Sequence, residues 1–99
     1  MIRGTTPTLE FSLPFETSLL DEAFVTFSQK GKVVLDKQLS ECSVEKNTLT
    51  VKLTQEDTLK LLHDCLVQIQ IRARTEDGSA VASNIIDVFV NKILKDGVI

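Results

Sequence analysis

The stretch "LVQIQIRARTEDGSAVASNIIDVFV", residues 66–90, decides the fold. Across 66–75 apolar and polar side chains alternate, with Val67, Ile69, Ile71 and Ala73 on one face and Gln68, Gln70, Arg72 and Arg74 on the other. A period of two marks a strand with one buried and one wet face. The segment "EDGS" follows, and Asp77 and Gly78 are good turn residues, so 66–75 and 79–91 are expected to form a hairpin. The returning arm is less regular. It opens with Ala80 and Ala82 and continues with Ile86, Val88 and Val90. A single extra residue near Ser83, Asn84 or Ile85 would put these two sets on opposite faces, as a β-bulge does. A strand that changes sheets there is the alternative.

The same alternation recurs upstream. Leu9, Phe11 and Leu13 share a face in "TLEFSLP", and Pro14, which has no N–H for a ladder, closes that strand. In "EAFVTFSQ" the inward set is Ala23, Val25 and Phe27. "QKGK" supplies a turn in which Gly31 takes positive φ at little cost, and "KVVLDKQL" brings Val33, Leu35 and Leu39 into phase with Lys37 interrupting them. Residues 22–39 therefore read as a second hairpin. After the polar break "SECSVEKN", Leu49, Val51 and Leu53 alternate with Thr48, Thr50 and Lys52. Thr54 and Asp57 stand where a capping box would begin a helix, so one or two helical turns, packed by Leu59 and Leu62, are expected near 55–62. Short strands with turn signals between them and one inward face each make a two-sheet antiparallel sandwich.

Composition limits the function classes. A chain of 99 residues forms one domain that buries very roughly two thirds of its unfolded surface. The 11 basic residues are scattered among 14 acidic ones, giving net charge −3 and no electrostatic footprint for nucleic acid. No apolar run reaches the roughly 18 residues of a membrane span, and the N-terminus has no apolar core of a signal peptide. A cytoplasmic product with Cys42 and Cys65 as reduced thiols is expected.

Chemistry-bearing constellations are sparse. His63, Asp64 and Cys65 are contiguous, but neighbouring residues point in different directions, whereas a metal needs three or four converging ligands. A nucleophilic Cys65–His63 pair has no evident third group or oxyanion donor. The acid pairs Asp21–Glu22, Glu56–Asp57 and Glu76–Asp77 sit where turns and helix starts favour acids. "KGK" lacks the glycine spacing of a phosphate loop, and with no Trp or Tyr there is no aromatic platform. The reading is therefore no catalytic residues, no cofactor and no metal. Two interface candidates remain: the outward row Gln68, Gln70, Arg72 and Arg74, and the tail residues Ile93, Leu94, Val98 and Ile99, apolar where a chain end is ordinarily polar, which either pack back on their own sandwich or reach a neighbouring subunit.

The stretches "IRGTTPTLEFSLPFETSLL", "LTQEDTLKL" and "ILKDGVI" resemble those of small structural proteins encoded in the tail-gene regions of phages and prophages of Gram-positive bacteria. Such proteins are similar in size and strand pattern to the immunoglobulin-like N-terminal domain of upper baseplate proteins. The resemblance implies a virion structural or assembly role, made in the bacterial cytoplasm. Its partners would be other tail proteins or copies of itself in a homo-oligomer, with neither nucleic acid nor membrane. It supplies no active-site residues, and the missing receptor-binding module departs from the baseplate pattern, so direct host recognition is not implied. A small intracellular regulator or inhibitor of one host protein is the alternative. The fold expected is an all-β, immunoglobulin-like antiparallel β-sandwich of about seven strands. Residues 1–99 make one domain, with flexible or partner-bound ends at 1–7 and 92–99. Its core is Leu9, Phe11, Leu13, Val25, Phe27, Leu35, Leu49, Val51, Val67, Ile69, Ile71 and Val88.

Overall fold

The computed structural model describes residues 1–99 and is the all-β antiparallel sandwich that the alternation predicts. Its strands are β1 (Thr8–Ser12), β2 (Leu20–Gln29), β3 (Lys32–Gln38), β4 (Ser43–Glu45), β5 (Thr48–Lys52), β6 (Cys65–Thr75), β7 (Ala80–Ala82) and β8 (Ile86–Val90). One short helix, α1 (Gln55–Leu59), joins β5 to β6. The smaller sheet has the order β1-β5-β4. The larger runs β3-β2-β6, with β7 and β8 both paired to the far edge of β6. Across its width the larger sheet is thus one strand wider than the smaller.

β7 and β8 are two halves of one arm. Arg72 faces Ala82 in the first half and Ile69 faces Ile86 in the second, a slip of one residue in register. The bulge lies where the sequence placed it. Ser83 closes it: its N–H donates to the Ile71 carbonyl at 2.9 Å, and its Oγ accepts the Ile71 N–H at 3.1 Å in place of a backbone carbonyl. Ala80 and Ala82 accordingly share the outer face with Arg74 and Arg72, while Ile86, Val88 and Val90 turn inward with Ile69, Val67 and Cys65.

The core joins both sheets through Val25, Phe27, Val67 and Ile69 on one side and Leu49, Val51 and Leu53 on the other. Leu9, Phe11 and Val88 are only partly buried against it. Leu9 and Phe11 sit on β1 at the rim of the narrower sheet, and Val88 on the edge of the wider one, so neither sheet fully covers them.

A second bulge, not foreseen, falls in β3. Phe27 faces Leu35 but Ser28 faces Val33, so Val34 is the extra residue. Val33 is thereby turned out, 64% exposed, and Val34 packs against the core instead. The β2–β3 turn has positive φ at both Lys30 (51°) and Gly31 (79°), the mirror-image turn that matches strand twist. The segment read as a polar break contains a strand, β4, three residues long, with all three residues exposed.

Leu62 does not pack α1. It is half exposed and Leu61 is buried, because Gln29 fixes this segment: its Nε2 donates to the Leu62 carbonyl and its Oε1 accepts the Leu62 N–H, at 2.9 and 2.8 Å. Gln29 is itself buried, its amide satisfied as a buried polar group must be.

Lys37, the interruption in β3, faces inward opposite Val25 and carries its ammonium to the Asp57 carboxylate at 3.0 Å. Asp57 also closes the capping box of α1, accepting from the Thr54 N–H at 2.9 Å while its own N–H donates to the Thr54 Oγ1. Burial works against the charge on Asp57, but the Thr54 N–H and the Lys37 ammonium outweigh it and hold the carboxyl below its ordinary range. A lowered folded-state pKa contributes stability that is present above the unfolded value and is lost as pH falls through the folded one.

Two outcomes follow. Denaturant unfolding should show that Ile69→Ala, at a site 3% exposed, loses about 2–5 kcal/mol, whereas Val33→Ala stays within about 0.5 kcal/mol. Asp57→Asn should lower stability at neutral pH, and the difference from the parent should shrink as pH drops below about 4. A difference that grows on acidification would contradict the ion pair.

Candidate functional site

The narrower sheet leaves one side of the sandwich open. Near β3 and β4 the gap is closed by the connection between them, where Leu39 and Cys42 pack on the core. On the other side β1 faces the β7–β8 arm across a groove of about 370 Å³. Phe11, Leu13, Ile71, Val81 and Ile86 give it an apolar lining, and Glu10 is its one charged residue.

Both banks of this groove are free strand edges. In β1, the Pro7 carbonyl accepts the Leu53 N–H at 2.9 Å and the Leu13 N–H donates to the Asn47 carbonyl at 2.7 Å. Antiparallel bonding alternates, so residues 9 and 11 also turn to β5 and the backbone groups of Thr8, Glu10 and Ser12 point away. In β7, the bonds Thr75 N–H to Ser79 carbonyl and Ser83 N–H to Ile71 carbonyl, both 2.9 Å, set the same alternation. Val81 is bonded to β6, and the backbone groups of Ala80 and Ala82 point outward. An apolar cleft between two unsatisfied edges can take an extended segment by strand addition. It holds no cluster of groups that could move a proton or attack a carbonyl.

The outward row is present on β6 but partly occupied. Gln70 donates from Nε2 to the Ser83 carbonyl at 3.0 Å, bracing the bulge. Arg74 is paired with Asp21 at 2.7 Å. Gln68 stands between Ser28 and Asp87, and Arg72 between Phe24 and Ala82.

The ends are tied to their own domain. The Asn91 N–H donates to the Met1 carbonyl and the Arg3 N–H to the Asn91 carbonyl, so Met1 to Arg3 lie along the end of β8. Arg3 also donates to the Leu61 and Leu59 carbonyls, both at 2.9 Å, and is paired with Asp96. In the tail, Ile93 rests on Gly4, its Cδ1 2.7 Å from where a Cβ would stand, and Gly4 has φ of 78°. Gln55 holds the Ile99 backbone through both amide atoms, at 2.8 and 3.2 Å. The four tail candidates therefore divide: Ile93 packs on its own chain, Val98 is half exposed, and the Leu94 and Ile99 side chains are 98% and 99% exposed. The tail runs beside the start of β1 and the groove lies at its other end.

His63 Nδ1 and Asp64 Oδ2 are 3.0 Å apart on the surface, and the Cys65 thiol turns to the Leu62 carbonyl instead. Asp64 has φ of 58°, the left-handed kink that starts β6 and separates these side chains. Both cysteines are free thiols. Burial and the Glu41 carboxylate push the Cys42 thiol up, the reverse of an activated nucleophile. No three His, Cys, Asp or Glu side chains converge as metal ligands, and no helix is long and apolar enough to cross a membrane.

Compared with protein-family models, curated proteins and solved structures, the chain matches none. The groove itself had no signal in the sequence, because its banks, residues 10–14 and 71–86, are far apart along the chain.

The division within the tail is measurable. Ile93→Ala should cost roughly 1–2 kcal/mol in denaturant unfolding, and Leu94→Ala less than about 0.5 kcal/mol. Equal costs would mean that the tail packs as one unit.

Proposed function

We propose that this chain is a non-enzymatic structural or assembly module of a phage tail or baseplate, acting through protein–protein contacts. The observation that supports contact over catalysis is the groove: an apolar cleft bordered by two strand edges with free backbone groups, which is a recognition geometry rather than a reaction geometry. The setting in a virion rests on the resemblance of the opening, middle and closing stretches to small tail-region proteins. In that setting the free edges and the exposed Leu94 and Ile99 side chains are places where neighbouring subunits attach.

Mass spectrometry of tailed particles, purified after induction of the host that encodes the chain, tests the setting. The chain is expected in the particles in stoichiometric amount with other tail proteins. Its absence from the particles, with the protein left soluble in the lysate on one host protein, would overturn this reading in favour of a regulator.

A further inference from the structure

Exposed sheet edges invite pairing with other chains, and proteins ordinarily blunt them with charges, proline, bulges or brevity. Three of the four edges here are blunted. β1 carries Glu10 and lies between Pro7 and Pro14; β3 carries Lys32, Asp36 and Lys37 and is bulged at Val34; β4 has only three residues, one of them Glu45. The fourth edge is not. Residues 79–86, "SAVASNII", hold no Asp, Glu, Lys, Arg or Pro in a chain that is 25% charged. The N-terminal segment covers the arm beside Asn91 and stops short of β7.

We propose that this edge pairs with the same edge of a second copy, antiparallel about a two-fold axis through Val81. The geometry is self-complementary. Ala80 and Ala82 are the residues whose backbone groups point outward, and a two-fold at Val81 sets each Ala80 opposite Ala82 of the second copy, so that each pair exchanges both its N–H···O=C bonds. Ser79 then faces Ser83, and no like charges meet. The same operation on β1 about Glu10 would oppose two carboxylates, which is destabilising. On the outer face the alanines leave room beside Arg72 and Arg74, and Arg74 already has its counter-ion in Asp21. On the inner face the two Val81 side chains lie together at the mouth of the groove, so pairing covers part of its apolar lining. The larger sheets of two copies become one continuous sheet. This names a partner for the module proposed above, and its test involves no virion, so either reading can fail without the other.

Sedimentation of the purified chain is expected to show a reversible monomer–dimer equilibrium. Ala80→Pro removes an N–H that β6 does not use, and Ala82→Lys places a charge on the edge from an outward-facing position. Each should raise the dimer Kd by about a hundredfold or more with an unchanged far-ultraviolet circular dichroism spectrum. Val33→Lys, on the β3 edge, should leave the Kd as it was. Should Ala80→Pro unfold, Ala82→Lys carries the test alone. A parent chain that stays monomeric to its solubility limit, an unchanged Kd in the folded β7 variants, or an equal loss in Val33→Lys overturns the proposal.

Discussion

The structure depends on a mismatch of widths. β6 is paired to β2 over residues 68–75 on one edge and to β7 and β8 on the other, and its inner row Val67, Ile69, Ile71 and Ala73 needs cover along its length. Three strands, of which the best placed are the five-residue β1 and β5, provide it. Over Val67 and Ile69 the cover is complete. Ile71 and Ala73 are buried as well, and the groove begins beside them, at the end nearest Pro14 and Ser83.

The rest of the molecule can be read as ways of closing the other gaps. The connection between β3 and β4 seals one side with Leu39 and Cys42. Gln29 imitates a strand partner for Leu62, and Arg3 takes up the carbonyls left at the end of α1. Lys37 reaches from the larger sheet to Asp57 on α1, so that the cap of the single helix and the ion pair share a carboxylate. Each device satisfies backbone or buried polar groups that would otherwise be costly. None serves the bank formed by β7, and the sequence there is uncharged. The β1 and β7 edges are both free, and of the two only β7 is free of charge and proline, which is why we propose it as the edge that pairs.

Much of this was legible in residue order. Alternation in 66–75 identified the inner row of β6 correctly, and the broken rhythm after Ala82 located the bulge, since both are local consequences of a period of two. What failed was set by distant partners. Val33 and Val34 exchange faces because of a bulge that two adjacent valines cannot signal. Leu61 rather than Leu62 is buried because Gln29, from another strand, grips the backbone between them. Leu9, Phe11 and Val88 fit their pattern but lie at rims, and a rim is a property of sheet order, not of sequence. At the candidate site, Ile93, Leu94, Val98 and Ile99 were legible as an apolar cluster but not which of them are exposed, and the groove was not legible, because residues 10–14 and 81–86 meet only after folding.

In the single chain the β1 and β7 edges are free. Residue-resolved amide hydrogen exchange on dilute protein reads this directly. The amides of Val81, Ser83 and Leu13, which donate within the sheets, should exchange slowly, and those of Glu10, Ser12, Ala80 and Ala82 should exchange far faster. Slow exchange at Ala80 and Ala82 in the dilute monomer would show that the chain closes this edge itself, and would contradict the account.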